Sequence, residues 1–190
     1  MGSMYYDEDP FWFVSPLAVD DNYIQSFANK VYKTIKDSPA IVRHHQKYPE
    51  DTYAPAWKTL EFMTMGNIVS LYNHLNDRNL KGQIANEFNC TIGIFVNYLE
   101  TIRVVRNTCA HGAYLYNLHL PRGIKNGPAG NISGSDRHNV NGIIKIVLYL
   151  LGAISHNRET ELRQDLKALF AESRNFETMR IINENTNFSL

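Results

Sequence analysis

Apolar residues return at helical spacing along almost the whole chain. After Asp20 and Asp21, both suited to cap a helix start, Tyr23, Phe27, Val31 and Ile35 recur every four residues and predict a helix to about Asp37. Ser38-Pro39 interrupts it, since proline lacks an amide proton and disfavours helix in the residue before it. A short helix through Ile41–Lys47 follows, then a loop from Tyr48-Pro49 to Pro55. One long helix is expected from about Pro55 to Asn76-Asp77, with Trp57, Leu60, Met63 or Thr64, Ile68, Leu71 and Leu75 on one stripe and Trp57 as a core anchor. A short helix near Leu80–Phe88 leads to the richest core candidate, a helix from Thr91 carrying Ile92, Phe95, Val96, Leu99, Ile102 and Val105 in register.

Gly, Pro, Asn and Ser dominate residues 121–135 and predict a long loop. Asp136 is placed to cap a helix with Ile143, Ile144, Val147, Leu148 and Leu151, ending near Gly152. A last amphipathic helix covers roughly 159–172, and the polar stretch 177–190 reads as a flexible tail. No repeat is visible. The fold class is therefore all-α, a helical bundle with a Gly/Pro-rich loop near 121–135, built as one domain over residues 10–176. Residues 1–4 read as an expression scar.

Composition narrows the function. A chain of 190 residues, 44% hydrophobic and 20% charged, reads as a globular protein able to bury a core. It has no apolar run of membrane-spanning length and no signal peptide, so no membrane contact and a cytoplasmic location are expected. Cys90 and Cys109 lack metal-ligand spacing and read as buried thiols in a reducing compartment; no metal site and no cofactor are expected. The formal net charge is zero, but its distribution is uneven. Residues 101–125 hold Arg103, Arg106, Arg122, Lys125, His111 and His119 without a single Asp or Glu. Residues 30–47 set Lys30, Lys33, Lys36, Arg43 and Lys47 against Asp37. Either segment can attract a polyanion, or be an ordinary solvated helix face.

The chemistry concentrates in Arg106-Asn107-Thr108-Cys109-Ala110-His111-Gly112, at the end of the most apolar helix. A chain with this many Arg and His residues shows about one such spacing by chance, so the setting matters more than the gap. A helix built only for packing has no use for Arg, Asn and His together. Arginine keeps its charge and can grip phosphate oxygens, histidine titrates near neutrality and can move a proton, and asparagine can orient either. That is what metal-free cleavage of RNA needs, because the ribose 2′-hydroxyl is itself the nucleophile. One Arg and one His make half of a good site, and a homodimer pairing two such helices completes it.

The run Arg103–His111 resembles the signature of the HEPN superfamily, whose ribonuclease members carry Arg–x4–6–His. More narrowly, the chain resembles the abortive-infection (Abi-like, AbiD/AbiF-type) branch of bacterial phage-defence proteins. Arg106-Asn107, Ala110-His111 and Tyr114-Leu115-Tyr116-Asn117 match its central motif. Pro55-Ala56-Trp57, Glu61 and Met65-Gly66 match the placements upstream, and Lys81, Ile84-Ala85 and Phe88 the short intervening helix. The match covers roughly 40–120; the further helical region that family members usually carry ahead of it is not found. The resemblance implies a HEPN fold, facing motifs in a dimer, and metal-independent RNase activity in defence. It assigns catalysis to Arg106 and His111, with Asn107 in support. An antitoxin or regulatory partner is a further expectation, although the His-x-Tyr form of nucleotidylated toxins is missing, since Ala113 stands at the Tyr position. The rival reading is a HEPN module that binds RNA or a protein without cutting; a structural dimerisation domain is a third.

Supporting roles in RNA binding fall to Arg103, Glu61, Tyr114, Tyr116, Asn117, Arg122 and Lys125. Glu61 is either a partner for Arg106 or Arg103, or an exposed carboxylate. Tyr114 and Tyr116 either stack on bases or pack against the helix end. His44-His45 is at most a second basic contact, and His74, His119, His138 and His156 read as surface residues.

Overall fold

The computed structural model describes residues 9–172 and 176–186. Among them every regular element is a helix, and the only β pairings are the isolated bridges Val19–Leu75 and Gly127–Gly130. The chain divides into two compact units, Met1–Ile84 and Ala85–Leu190.

In the first unit a 3₁₀ turn, Trp12–Val14, buries Trp12 and Phe13. Helix α1 (Asp21–Phe27) starts where Asp20 accepts the Tyr23 amide at 3.0 Å. It widens into a π turn (Ala28–Tyr32) and ends as α2 (Lys33–Ile35). The π turn follows from the spacing. A strict four-residue repeat overshoots a 3.6-residue turn by about 40° per step, and a wider turn brings Tyr23, Phe27, Val31 and Ile35 back to one buried face. Helix α3 (Pro39–Lys47) begins after the expected break.

The long helix expected from Pro55 is two helices, α4 (Ala56–Phe62) and α5 (Met65–Asn73). Met63 is extended, and the Thr64 hydroxyl accepts the Asn67 amide at 3.2 Å, capping a new start. The predicted stripe is thereby cut. Trp57 is 48% exposed and is not the core anchor; Ala56 and Thr59 supply that face. The core is instead an aromatic cluster in which Phe13, Phe27, Tyr53 and Tyr32 stand 4.9–5.3 Å apart across successive pairs. Around it, the Tyr32 hydroxyl accepts the Ala54 amide at 2.7 Å and lies 2.7 Å from His45 Nε2. Burial raises the Tyr32 phenol above its usual range. His44 is buried, its Nε2 2.8 Å from the Asp51 carboxylate. The His pair is thus engaged in holding its own unit. His74, expected at the surface, is half-buried with Nδ1 2.7 Å from the Ser70 carbonyl.

Helix α6 covers Arg78–Asn86. The second unit is built on α7 (Ile92–Ala110), capped by Thr91, and α8 (Val140–Ile154). Asn139, not Asp136, caps α8, through the amides of Asn141 and Gly142. Asp136 sits in a 3₁₀ turn (Gly134–Arg137), where it accepts from Asn141 at 2.8 Å and Lys145 at 3.1 Å. Helices α9 (His156–Glu172) and α10 (Phe176–Thr186) follow, the latter in a stretch read from sequence as tail. Phe95, Tyr98, Leu120, Ile124, Ile132, Ile143 and Ile146 are buried. Along α7 the buried positions are Phe95, Asn97, Tyr98 and Thr101, while Ile92, Val96, Leu99, Ile102 and Val105 are only half-buried. The buried face is rotated because Asn97 is needed for hydrogen bonds to the loop at 123–125, while the Thr101 hydroxyl is satisfied by the Asn97 carbonyl of its own helix. Cys90 is buried, which raises its thiol pKa. Cys109 is exposed, against expectation, because the last turn of α7 emerges into solvent. No described helix is long and apolar enough to cross a membrane.

Candidate functional site

The polar trio sits where α7 runs out. Arg106 immediately precedes the last turn of the helix, Asn107 opens that turn, and His111 is the C-cap residue, with backbone near helical (φ −95°, ψ 12°) and its amide bonded to the Asn107 carbonyl at 3.1 Å. Gly112 then enters the left-handed region at φ +69°. Its amide returns to Cys109 at 3.1 Å and that of Ala113 to Thr108 at 3.0 Å. This pair of bonds is the Schellman closure, and it explains why glycine follows the histidine: only glycine takes positive φ without cost. The sequence thus fixes His111 at a defined terminus rather than in a loose loop.

Arg106 and His111 are both exposed, and Asn107 is half-buried. The Arg106 guanidinium donates from Nη1 to Asn107 Oδ1 at 3.2 Å and, among the described residues, makes no ion pair. The helix ends here in carbonyls, not amides, so an anion at this site is held by side-chain cations alone.

Arg103 is already paired: its Nε donates to Glu100 Oε2 at 2.7 Å. Glu61 belongs to the first unit and is exposed near the end of α4. Tyr114 is 84% exposed and so does not pack against the helix end, while Tyr116 leaves 42% of its surface open. The chain leaves the Schellman closure as turns without regular structure, which carries both rings outward. Asn117 and Arg122 are exposed, and Lys125, also exposed, reaches the Gly93 carbonyl with Nζ at 3.3 Å. Of the histidines expected at the surface, His119 is exposed and stacks on His138 at 4.7 Å, and His156 is exposed. His138 is half-buried, with Nδ1 2.9 Å from the Leu120 carbonyl.

Two residues matter here that sequence reasoning passed over. Asn97, buried in α7, donates to the Gly123 carbonyl at 3.1 Å and accepts the Lys125 amide at 2.8 Å, clamping the loop to the helix. Its signal was an amide inside an apolar run. Glu100 is the last carboxylate before the acid-free stretch 101–125. With Arg103 it borders a pocket of about 310 Å³, walled on the other side by Leu120, Pro121 and Arg122. Among the described residues no group of three or more His, Cys, Asp or Glu is placed to hold a metal ion.

A family model of Abi-like proteins matches residues 2–117, from the first unit through the Arg106–Asn117 segment. The chain belongs to the Abi-like family. Its match begins well upstream of the motifs at Pro55 and ends just after Tyr116-Asn117, so the clamped loop and helices α8 to α10 lie outside it. No curated protein and no solved structure matches the chain.

Proposed function

We propose that this Abi-like protein is a HEPN-type, metal-independent endoribonuclease acting in abortive infection, the phage-defence role that its family membership suggests. The observation that carries the reading is the joint exposure of Arg106 and His111 at the closed end of one helix, with Asn107 bonded to the guanidinium. Two such ends facing each other in a homodimer supply two imidazoles and two guanidiniums.

In the reaction, one His111 takes the proton from a ribose 2′-hydroxyl as its oxygen bonds to the adjacent phosphorus. The phosphorus–O5′ bond breaks, and the His111 of the second copy gives a proton to the departing 5′ oxygen. Arg106 neutralises the charge that builds on the phosphate oxygens, and Asn107 holds the guanidinium in place. The products are a 2′,3′-cyclic phosphate and a 5′-hydroxyl. Tyr114 offers an open ring face for a base, and Arg122 and Lys125 add charge along the strand.

The test is incubation of single-stranded RNA with the full chain in EDTA, with end-group analysis of the fragments. Cutting with cyclic-phosphate ends, reduced roughly 10²- to 10⁴-fold in His111→Ala, supports the enzyme. Binding without cutting by the native chain favours the module that recognises RNA and leaves it intact.

A further inference from the structure

The pocket beside the trio combines features that phosphate binding alone does not require. Its rim carries a carboxylate, Glu100, in a stretch otherwise free of acids and dedicated to positive charge. As a half-buried i,i+3 ion pair with Arg103, it adds to the helix only what any such pair gives. Among the described residues, however, Glu100 Oε1 and the two terminal nitrogens of Arg103 carry no further hydrogen bond. The pair therefore presents a ready edge, acceptors beside donors, to whatever enters. Val104, Leu120 and Pro121 give the same pocket apolar walls, and Arg122, exposed and part of its lining, makes no ion pair among the described residues.

Position on the helix ties the pocket to Asn107 and His111, while Arg106 lies about 120° round from Glu100. At 100° per residue, Glu100, Arg103, Val104, Asn107 and His111 fall within about 60° of one line along α7. From the Arg103–Val104 level to His111 is roughly 11 Å along the axis. A base in the pocket thus belongs to a neighbour of the linkage that lies at His111.

We infer that this pocket reads a guanine base in single-stranded RNA, with Glu100 and Arg103 as the residues that set specificity. In RNA without a paired strand the Watson–Crick edge is open. On guanine that edge shows one acceptor, O6, beside two donors, N1–H and N2–H₂. The Glu100 carboxylate takes both donors, since each oxygen has two lone pairs and Oε2 can keep Arg103 as well. A terminal nitrogen of Arg103 donates to O6. Uracil offers one donor between two acceptors, and adenine and cytosine each offer one amino group, so none of them fills both carboxylate oxygens. The apolar walls cover the base faces, and Arg122 takes a flanking phosphate.

The substrate class rests on the RNA reading proposed above, and the experiment separates the two. The full chain carrying His111→Ala, which cannot cut, is titrated into fluorescent five-residue RNAs of uridines with G, A, C, U or inosine at the centre. The G oligomer is expected to bind about tenfold tighter than the A, C and U forms, the size of one good bidentate base contact. Inosine, which lacks the 2-amino group, is expected to lose several-fold, and this arm needs no change in the pocket. Adding Glu100→Gln, with its helicity checked by circular dichroism, is expected to bring G within about twofold of the rest. Equal binding of all five oligomers, inosine equal to guanine, a folded Glu100→Gln variant that still prefers guanine, or no RNA binding each overturn the inference. Guanine preference with no cutting by the native chain sinks the enzyme and keeps the pocket. Cutting that depends on His111 but ignores the base does the reverse.

Discussion

Gly112 and Tyr23 each show how one side chain's chemistry sets a measurable cost. Gly112 has open space where a Cβ would go, so Gly112→Ala pays only for the left-handed backbone at φ +69°. About 1 kcal/mol of stability is expected to go, read as a lower denaturant midpoint with unchanged slope. RNA cutting should fall by more than this loss explains, because the same turn fixes His111. Tyr23 behaves differently. Its hydroxyl is buried with no hydrogen-bond partner among the described residues, and burial raises its pKa far above the ordinary 10.0. Below pH 10 the phenol is neutral folded or unfolded and costs nothing through ionisation. Above it the unfolded chain ionises while the folded one does not, so stability falls as pH rises from about 10. Tyr23→Phe should flatten that decline in denaturation curves at pH 9 to 11, and at neutral pH should be neutral or stabilising by about 1 kcal/mol. A clearly destabilised Tyr23→Phe would mean that the hydroxyl has a partner.

Among the elements, α8 is the most sharply constrained. A Cβ on Gly142 would lie 1.9 Å from the Asp136 carbonyl oxygen, a backbone atom that cannot swing aside. Gly142→Ala is expected to cost about 3 kcal/mol and lower the melting temperature by several degrees, although alanine is the better helix former. The same close approach explains why the sequence misplaced the cap. Asp136 has the right chemistry but is held in the preceding turn, and Asn139, three residues on, does the capping. Thr64 is a similar case: a capping residue inside an apolar stripe, passed over because the stripe ran on past it. Periodicity located nearly every helix, and Asp20, Ser38-Pro39 and Thr91 marked real boundaries. What periodicity could not supply was rotation. The half-buried apolar face of α7, and its buried Asn97, depend on hydrogen bonds to residues up to 28 positions away. The exposure of Trp57, Tyr114 and Tyr116 likewise depends on where neighbouring segments stop. At the candidate site, residue types and spacing singled out Arg106, Asn107 and His111 as candidates; the pocket at Glu100 needed the loop to be in place.

At the level of the whole molecule, the family match closes at residue 117, while the second unit continues through α8, α9 and α10. The matched segment that holds Arg106 and His111 therefore stands on a scaffold completed by residues outside the match. A single copy offers one imidazole at this site, and the proposed reaction uses two. Sedimentation at micromolar concentration should give twice the mass of 21.8 kDa, and mixing His111→Ala with Arg106→Ala chains should not restore full cutting, because the shared site of the mixed dimer keeps one imidazole and one guanidinium. An active monomer would rule out the shared site. The carbonyl terminus of α7 adds a further consequence for turnover. With no cradle of amides beneath it, a phosphate there is gripped by flexible cations whose pull fades within about 10 Å at 0.1 M salt. Fragments that have lost their flanking nucleotides lose most of those cations at once. In the proposed reaction they leave quickly, so that cellular ionic strength tunes how tightly long transcripts are caught rather than how fast spent ends are shed.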